Sequence, residues 1–250
     1  MSFSAEIRVL TTPQELFAAA AEEIVHLANE AVAEHGRFTI ALSGGSTPKA
    51  LYNLLATNAR GILPWDRMYF FWSDERHVPP TDPESNYRMA DEAMLSKVPV
   101  PAGNIYRMPA ENPDAAATAE AYETSLRKFF QTKAGEFPKF DLILLGLGPD
   151  GHTASLFPGT AGLKEKSRLV IANPVEKLKT DRLSFTYPLI NAARCVAFLV
   201  SGMDKATVLR SVLQENVPGE QYPAKLVQPI DGRLVWFLDR AAASELSQPK

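Results

Sequence analysis

Residues 141–158, DLILLGLGPDGHTASLFP, decide the fold of this 250-residue chain. Five apolar residues in six, broken by one glycine, predict a strand over 141–147 that is buried on both faces. The glycine-rich turn that follows cannot extend the strand, and it lets the backbone approach a ligand closely. His152 ends this turn, and ligands of open parallel sheets bind just beyond the carboxyl ends of the strands. The segment therefore favours a functional His152; the alternative is an ordinary strand-to-helix turn with an incidental histidine.

Strands and helices alternate along the rest of the chain. A capping box at Thr12 and an apolar stripe at helical spacing predict a helix over 12–36. Further strands are predicted at 38–42, 67–72, 105–108, 168–172, 182–186, 195–200 and 234–238, and further helices at 47–55, 86–95, 112–131 and 203–213. The alternation predicts an α/β fold, with a mostly parallel sheet covered by helices on both faces, in a single domain over residues 1–250.

Composition narrows the class of function. The chain is 46% hydrophobic and 22% charged, with a net charge of −3, so it lacks the basic surface that nucleic-acid binding requires. No apolar run is long enough to span a membrane, and the N-terminal MSFSAEIRVL does not resemble a signal peptide. The single cysteine, Cys195, cannot form an internal disulfide. We expect a cytoplasmic protein that binds neither nucleic acid nor membrane.

A second motif, Ser43-Gly44-Gly45-Ser46-Thr47, lies between a predicted strand and a predicted helix. Small residues expose backbone N–H groups, hydroxyls add donors, and a helix N-terminus favours negative charge. The loop is neither a Walker A motif nor a dinucleotide fingerprint, so a single phosphate is the better ligand. The alternative is a plain tight turn whose Thr47 caps a helix with Pro48 in its first turn.

Two further clusters follow predicted strands. The segment Ser73-Asp74-Glu75-Arg76-His77 contains Arg76, which suits bidentate phosphate binding, although the cluster alone would suggest a solvated surface. The second cluster, Ser201-Gly202-Met203-Asp204-Lys205, offers Lys205, which we expect either to bind an anion or to be an ordinary solvated lysine. Neither a GxSxG elbow nor a metal-ligand spacing such as HxxxH or CxxC occurs. The residues thus indicate a histidine-centred site with a phosphate pocket and no metal.

Taken together, four segments resemble the 6-phosphogluconolactonases: ALSGGSTP (41–48), FFWSDERHVP (70–79), GLGPDGHTASLFPG (146–159) and SGMDKA (201–206). The resemblance spans nearly the whole chain, and it implies a Rossmann-like sheet with a smaller peripheral part, similar to the glucosamine-6-phosphate deaminases. It implies hydrolysis of 6-phospho-D-glucono-1,5-lactone in the pentose phosphate pathway, without a metal or nucleotide cofactor. The expected partner is a phosphorylated sugar lactone, and we expect a monomer or weak homo-oligomer.

The chemistry then assigns candidate roles. His152 is the expected general base, because the ordinary pKa of an imidazole lies near neutral pH. Asp150 either orients this ring or only fixes the turn. Arg76 and Lys205, together with the loop of residues 43–47, are expected to hold the phosphate.

Three candidates for the oxyanion are the backbone N–H groups near Gly44 or Gly151 and the side chain of Arg182. Arg182 matches a substrate-contacting arginine of the lactonases, or it is a charge at a strand end. Asp74 matches the proton-shuttling acid of the deaminases, and its role in a lactonase stays open.

Phe157 separates the two related activities. The deaminases carry a glutamate five residues after the histidine, which supports opening of the sugar ring, and a lactone does not need that step. Two alternatives remain: an amino-sugar-phosphate deaminase or isomerase, which Phe157 disfavours, and a non-enzymatic phosphosugar sensor, for which no spare partner-binding segment is evident.

Overall fold

Two sheets organise residues 5–247, the part of the chain that this computed structural model describes. With strands numbered in chain order, the large parallel sheet has the spatial order β1 (Glu6–Leu10), β9 (Arg233–Asp239), β8 (Cys195–Val200), β5 (Leu142–Leu145), β2 (Phe38–Leu42) and β3 (Met68–Trp72). The small antiparallel sheet has the order β4 (Asp74–Arg76), β7 (Thr180–Phe185) and β6 (Val170–Val175). The predicted mostly parallel α/β fold with a smaller peripheral part is therefore confirmed.

Helices connect most of the strands. They are α1 (Pro13–His35), α2 (Ser46–Asn58), α3 (Asn86–Ala93), α4 (Ala115–Phe130), α5 (Tyr187–Asn191) and α6 (Ala206–Leu213). None of these helices, within residues 5–247, combines the length and the apolarity needed to cross a bilayer.

Helix α1 follows its sequence signals closely. The Thr12 hydroxyl accepts a hydrogen bond from the N–H of Glu15 at 3.2 Å, which satisfies one of the free donors of the first turn. The helix ends at Gly36, whose φ of 80° is left-handed, a conformation that glycine adopts without the steric penalty of a Cβ. Leu16 and Ile24 lie on the buried face. The predicted helix over 12–36 is confirmed.

The central strands are buried on both faces, as the unbroken apolar run of residues 142–145 predicts. Every residue of β2, β5 and β8 is buried, including the thiol of Cys195. Burial raises the pKa of this thiol to about 12, so it stays protonated and unreactive at neutral pH. Removing a large side chain such as Leu144 from this layer would cost roughly 2–5 kcal/mol.

The order of the strands creates one crevice. From β2 the chain moves outward to β3, then returns to the other side of β2 to form β5, and continues away through β8 to β9. The direction of winding therefore reverses between β2 and β5. Loops leaving the carboxyl ends of these two strands separate there, which is where open α/β sheets bind ligands.

The small sheet corrects one expectation. The strands predicted at 168–172 and 182–186 do not join the parallel sheet; they form the antiparallel pair β6 and β7. Only a short turn, Glu176–Leu178 followed by Lys179 with a φ of 51°, connects them. A parallel pair needs a crossover of a dozen or more residues. Because this connection is much shorter, the two strands form an antiparallel hairpin.

Two other local predictions were wrong. Residues 105–108 form no strand, only a single bridge from Ile105 to Phe70. Helix α2 starts at Ser46 and is capped by Gly45, whose φ of 104° excludes it from the helix, so Thr47 is not the cap. The alternative of a strand-to-helix turn at His152 is not observed either, because the chain between β5 and β6 contains no α-helix, only a short 3-10 segment, Ala161–Lys164.

Candidate active site

A cleft of about 400 Å³ lies at the reversal point, between the carboxyl ends of β2 and β5, with the small sheet along its other side. Ser73 joins the two sheets: its N–H donates to Leu42 O at 2.9 Å, and its carbonyl accepts from Phe185 N at 2.8 Å. This link carries β4 from the end of β3 to the cleft. Eight of the candidate residues line it: Ser43, Gly44, Gly45, Asp74, Arg76, Asp150, His152 and Arg182.

Asp150 and His152 form a hydrogen-bonded pair. One carboxylate oxygen, Oδ1, lies 2.5 Å from Nδ1 of the imidazole, and it also accepts the His152 backbone N–H at 3.2 Å. The same oxygen therefore both fixes the turn and holds the ring. Because Nδ1 is engaged, Nε2 is the ring nitrogen free to act in the cleft, and it makes no hydrogen bond to any residue in 5–247.

Glycines make room for this pair. A Cβ on Gly148 would lie 2.8 Å from Cγ of His152 and closer still to Nδ1 and Cε1, so the imidazole occupies the space that a side chain would fill. Gly151 has a φ of 75° and packs against Tyr222. Its N–H donates to Gly148 O at 3.0 Å within the turn, which leaves Gly151 unavailable as an oxyanion donor.

Two residues from outside the turn complete the histidine's surroundings. The ring of Phe157 stacks on His152, with centroids 4.1 Å apart. Lys177, from the β6–β7 turn, forms an ion pair with Oδ2 of Asp150, and its Nζ lies 4.6 Å from the centroid of the Phe157 ring. Burial alone would raise the pKa of Asp150, but the hydrogen bonds from His152 and Lys177 outweigh it and hold that pKa well below its usual value.

Two arginines face each other across the small sheet. Arg76 on β4 and Arg182 on β7 are directly opposed in the antiparallel register, an arrangement that repulsion disfavours unless an anion compensates it. Burial and the charge of Arg76 lower the pKa of Arg182. Within residues 5–247 neither guanidinium has a carboxylate within ion-pair distance; Arg76 donates to the carbonyl of Glu84 at 2.6 Å. The pair is suited to binding an anion from the cleft.

The Ser43–Gly45 loop offers backbone donors beside the arginines. Tyr52 fixes its base, accepting the Ser43 N–H at 3.0 Å and donating to the Ser43 carbonyl at 2.9 Å. Helix α2 has no side-chain cap, so its first N–H groups remain available. Gly44 packs against Asn86, whose Nδ2 would lie 2.8 Å from a Cβ at that position. The Thr47 cap of the alternative is therefore wrong, whereas phosphate binding by this loop stays a prediction.

The acidic residues of the 73–77 segment have distinct environments. Asp74 is buried and accepts a hydrogen bond from Ser155 Oγ at 2.7 Å. Glu75 is 2% exposed and accepts the N–H groups of Asn86 and Tyr87 at the start of α3, at 2.7 and 2.8 Å. Burial raises the pKa of Glu75, although the hydrogen bonds from these N–H groups act to lower it. The segment is thus not a solvated surface cluster, and Glu75 has a structural role.

Four predicted residues do not line the cleft: Ser46, Thr47, Gly151 and Lys205. Lys205 lies beyond the carboxyl end of β8 and pairs with Asp204 at 3.1 Å. Asn86, Ser155 and Lys177 also line the cleft, and sequence reasoning gave them no role. Ser155 lies within the quoted motif of residues 146–159, whereas no local pattern could have indicated Asn86 or Lys177, because their partners lie far away in the chain. Residues 5–247 contain no grouping of three or more His, Cys, Asp or Glu side chains placed to hold a metal ion.

The chain is similar to known proteins in both sequence and structure. Residues 11–236 match the model of a family described as glucosamine-6-phosphate isomerases/6-phosphogluconolactonase. A 6-phosphogluconolactonase of Synechocystis sp. is 46% identical over 96% of this chain and 98% of its own, and one of Nostoc sp. is 44% identical over the same shares. The structure of the 6-phosphogluconolactonase from Trypanosoma cruzi superposes with a TM-score of 0.88 at 34% identity, covering 99% of this chain and 98% of that one.

Proposed function

The chain belongs to the family of glucosamine-6-phosphate isomerases and 6-phosphogluconolactonases, and from this premise we propose that it hydrolyses 6-phospho-D-glucono-1,5-lactone to 6-phosphogluconate, a step of the pentose phosphate pathway. The observation that carries the proposal is the Asp150–His152 pair at the crevice between β2 and β5, in the same cleft as the neighbouring arginines Arg76 and Arg182. One end of such a cleft suits hydrolysis and the other suits a phosphate.

His152 acts as the general base. Asp150 holds Nδ1, so the lone pair of Nε2 accepts a proton from water as the water oxygen bonds to C1 of the lactone. The tetrahedral intermediate then breaks the bond between C1 and the ring oxygen, and the proton on Nε2 passes to that oxygen, which leaves as a hydroxyl. The new carboxylic acid loses its proton to solvent. Base catalysis of this kind is worth roughly 10²–10⁴-fold.

Negative charge develops on the carbonyl oxygen of the lactone during attack. Of the donors considered, the N–H of Gly151 is used within its own turn and Arg182 stands with Arg76 at the phosphate, so the Gly44 backbone is the better candidate for the oxyanion. Gly44 lines the same cleft as His152, whereas Gly151 does not.

The phosphate is held by charge and by backbone donors. Arg76 and Arg182 supply two guanidiniums, and the uncapped N-terminus of α2 adds N–H groups. Lys205 joins this set if the bound substrate extends toward the end of β8. The position of Phe157 against His152 supports a lactonase over a deaminase, because an apolar ring cannot exchange the protons that ring opening requires.

The same proposal treats the chain as one functional domain that works in the cytoplasm as a monomer or weak homo-oligomer. The single buried cysteine, unable to form an internal disulfide, supports a reducing compartment.

The deciding experiment is a coupled assay for 6-phosphogluconate with freshly prepared lactone, corrected for spontaneous hydrolysis. We expect enzyme-dependent hydrolysis and no ammonia from glucosamine 6-phosphate. Ammonia release, or no acceleration above the spontaneous rate by a folded protein, would reject the proposal.

A further inference from the structure

Lys177 occupies an unusual place beside the base. It lies in the turn Glu176–Leu178 of the small sheet, while Asp150 and His152 lie in the turn after β5 of the large one. Its ammonium pairs with Oδ2 of Asp150, the oxygen that His152 does not use. The lysine side chain also passes over Phe157, which stacks on the imidazole. Lys177 therefore contacts both Asp150 and Phe157, whose side chains touch the imidazole of His152.

This pairing changes what Asp150 does to the imidazole. A carboxylate 2.5 Å from Nδ1 orients the ring, but it also favours the imidazolium form, which cannot accept a proton from water. An ammonium on the opposite carboxylate oxygen offsets part of that charge. The orientation is kept, because the hydrogen bond to Oδ1 remains, while the preference for imidazolium falls.

We propose that Lys177 is a positioning residue that acts through Asp150 to keep His152 in its neutral, base-competent form near neutral pH. The inference rests on the proposed function, since it assumes that His152 is the base. It goes beyond that function in assigning the small sheet a role in the chemistry as well as in binding.

Other charged groups face the same cleft. Asp74 and Arg76 on β4 and Arg182 on β7 line it with Lys177 and Asp150. A competing role for Lys177 is direct binding of the substrate's phosphate, since its side chain is 54% exposed. The two roles differ in their readout: a phosphate contact changes KM at every pH, whereas a contact through Asp150 moves the pH dependence of the rate.

The test measures kcat/KM for the lactone against pH, corrected for spontaneous hydrolysis, in Lys177→Met, Lys177→Arg and Lys179→Met. Lys179, in the same turn, is the matched control, because it is exposed and lines no part of the cleft. We expect Lys177→Met to move the acid limb upward by about one pH unit, with the high-pH plateau within a few-fold of the unmodified protein. Lys177→Arg and Lys179→Met should keep the original limb. A uniform fall in kcat/KM at all pH values, with no shift of the limb, would overturn the proposal.

A second measurement is independent of turnover. Titration of the His152 ring proton signals by NMR, in substrate-free protein, should show the same upward shift in Lys177→Met. In an Asp150→Asn background the Lys177→Met change should have no further effect, because the carboxylate that links them is gone. An equal shift in both backgrounds would show that Lys177 does not act through Asp150. If the unmodified protein fails to hydrolyse the lactone, the proposed function falls, but the titration still decides the coupling.

Discussion

Gly148→Ala should disable the base without unfolding the protein. An alanine Cβ at this position would lie 2.8 Å from Cγ of His152 and closer to Nδ1 and Cε1. Carbon atoms in ordinary contact are about 3.5–4.0 Å apart, so the imidazole must move by more than about 1 Å. Gly148 does not have a left-handed φ, so its backbone accepts alanine without strain.

The size of the effect follows from that displacement. A misplacement of about 1 Å in a reacting group costs roughly 100-fold in rate, and here the move also strains the hydrogen bond from His152 to Asp150. The ring is 24% exposed, so it can swing toward solvent and the core is not disturbed. We therefore expect kcat to fall by about 100-fold or more, with a melting temperature close to that of the unmodified protein.

Gly61→Ala is the control, because nothing lies within 4 Å of a Cβ there and Gly61 does not line the cleft. Lactone hydrolysis by both variants is measured with the corrected coupled assay, and folding by thermal denaturation. A folded Gly148→Ala protein that retains kcat within about threefold, in an assay that resolves the 100-fold loss expected here, would refute the assignment of His152 as the base in this position.

Other variants test the remaining parts of the site. His152→Ala should lose roughly 10²–10⁴-fold in kcat, while His77→Ala, whose ring lies outside the cleft, should not; equal losses would point to a structural effect. Arg76→Ala should raise KM for the phosphorylated lactone by about 10- to 100-fold, from about 1.5–3 kcal/mol per contact, and leave an unphosphorylated lactone nearly unaffected; an equal rise for both lactones would place the phosphate elsewhere. Lys205→Ala should raise KM less, because Lys205 lies outside the cleft and pairs with Asp204. Phe157→Glu puts a carboxylate against His152 and favours the imidazolium form, so the acid limb of the pH–rate profile should move to higher pH. An unchanged profile would contradict the contact of Phe157 with the base, and release of ammonia from glucosamine 6-phosphate by the unmodified protein would contradict the lactonase function.

Local signals in the sequence predicted the elements that depend on local physics. The bounds predicted for β2 and β8 agree with the structure, because an unbroken apolar run leaves a strand buried on both faces as the stable choice. Helix α1 was equally clear, since Thr12 and Gly36 are residue types that begin and end helices. Predictions failed where a distant partner decides the conformation, as at 105–108, where only Ile105 bridges to Phe70.

The residues of the active-site cleft also differ in whether the sequence could predict them. The glycine-rich turn, His152 and the Ser43–Gly45 loop were evident in the sequence, because short-range backbone requirements and the residue types themselves identify them. The sequence did not decide whether Asp150 orients His152 or only fixes the turn, and in the structure its Oδ1 does both. Deciding between these roles requires the position of the Asp150 carboxylate relative to the His152 ring, which a sequence pattern does not contain.

What the sequence by itself determined is the succession of buried strands and capped helices, together with the family's motifs at the carboxyl ends of those strands. What only the tertiary structure decided is which distant side chains meet there. Lys177 reaches Asp150 from a hairpin of the other sheet, and Arg182 stands opposite Arg76 because β7 pairs antiparallel with β4. Backbone propensity and apolar burial act over a few residues and are therefore readable along the chain. The contact of Asp150 with Lys177 and the register pairing of Arg76 with Arg182 join residues 27 and 106 positions apart, and both depend on sheet packing that forms only when the whole chain folds.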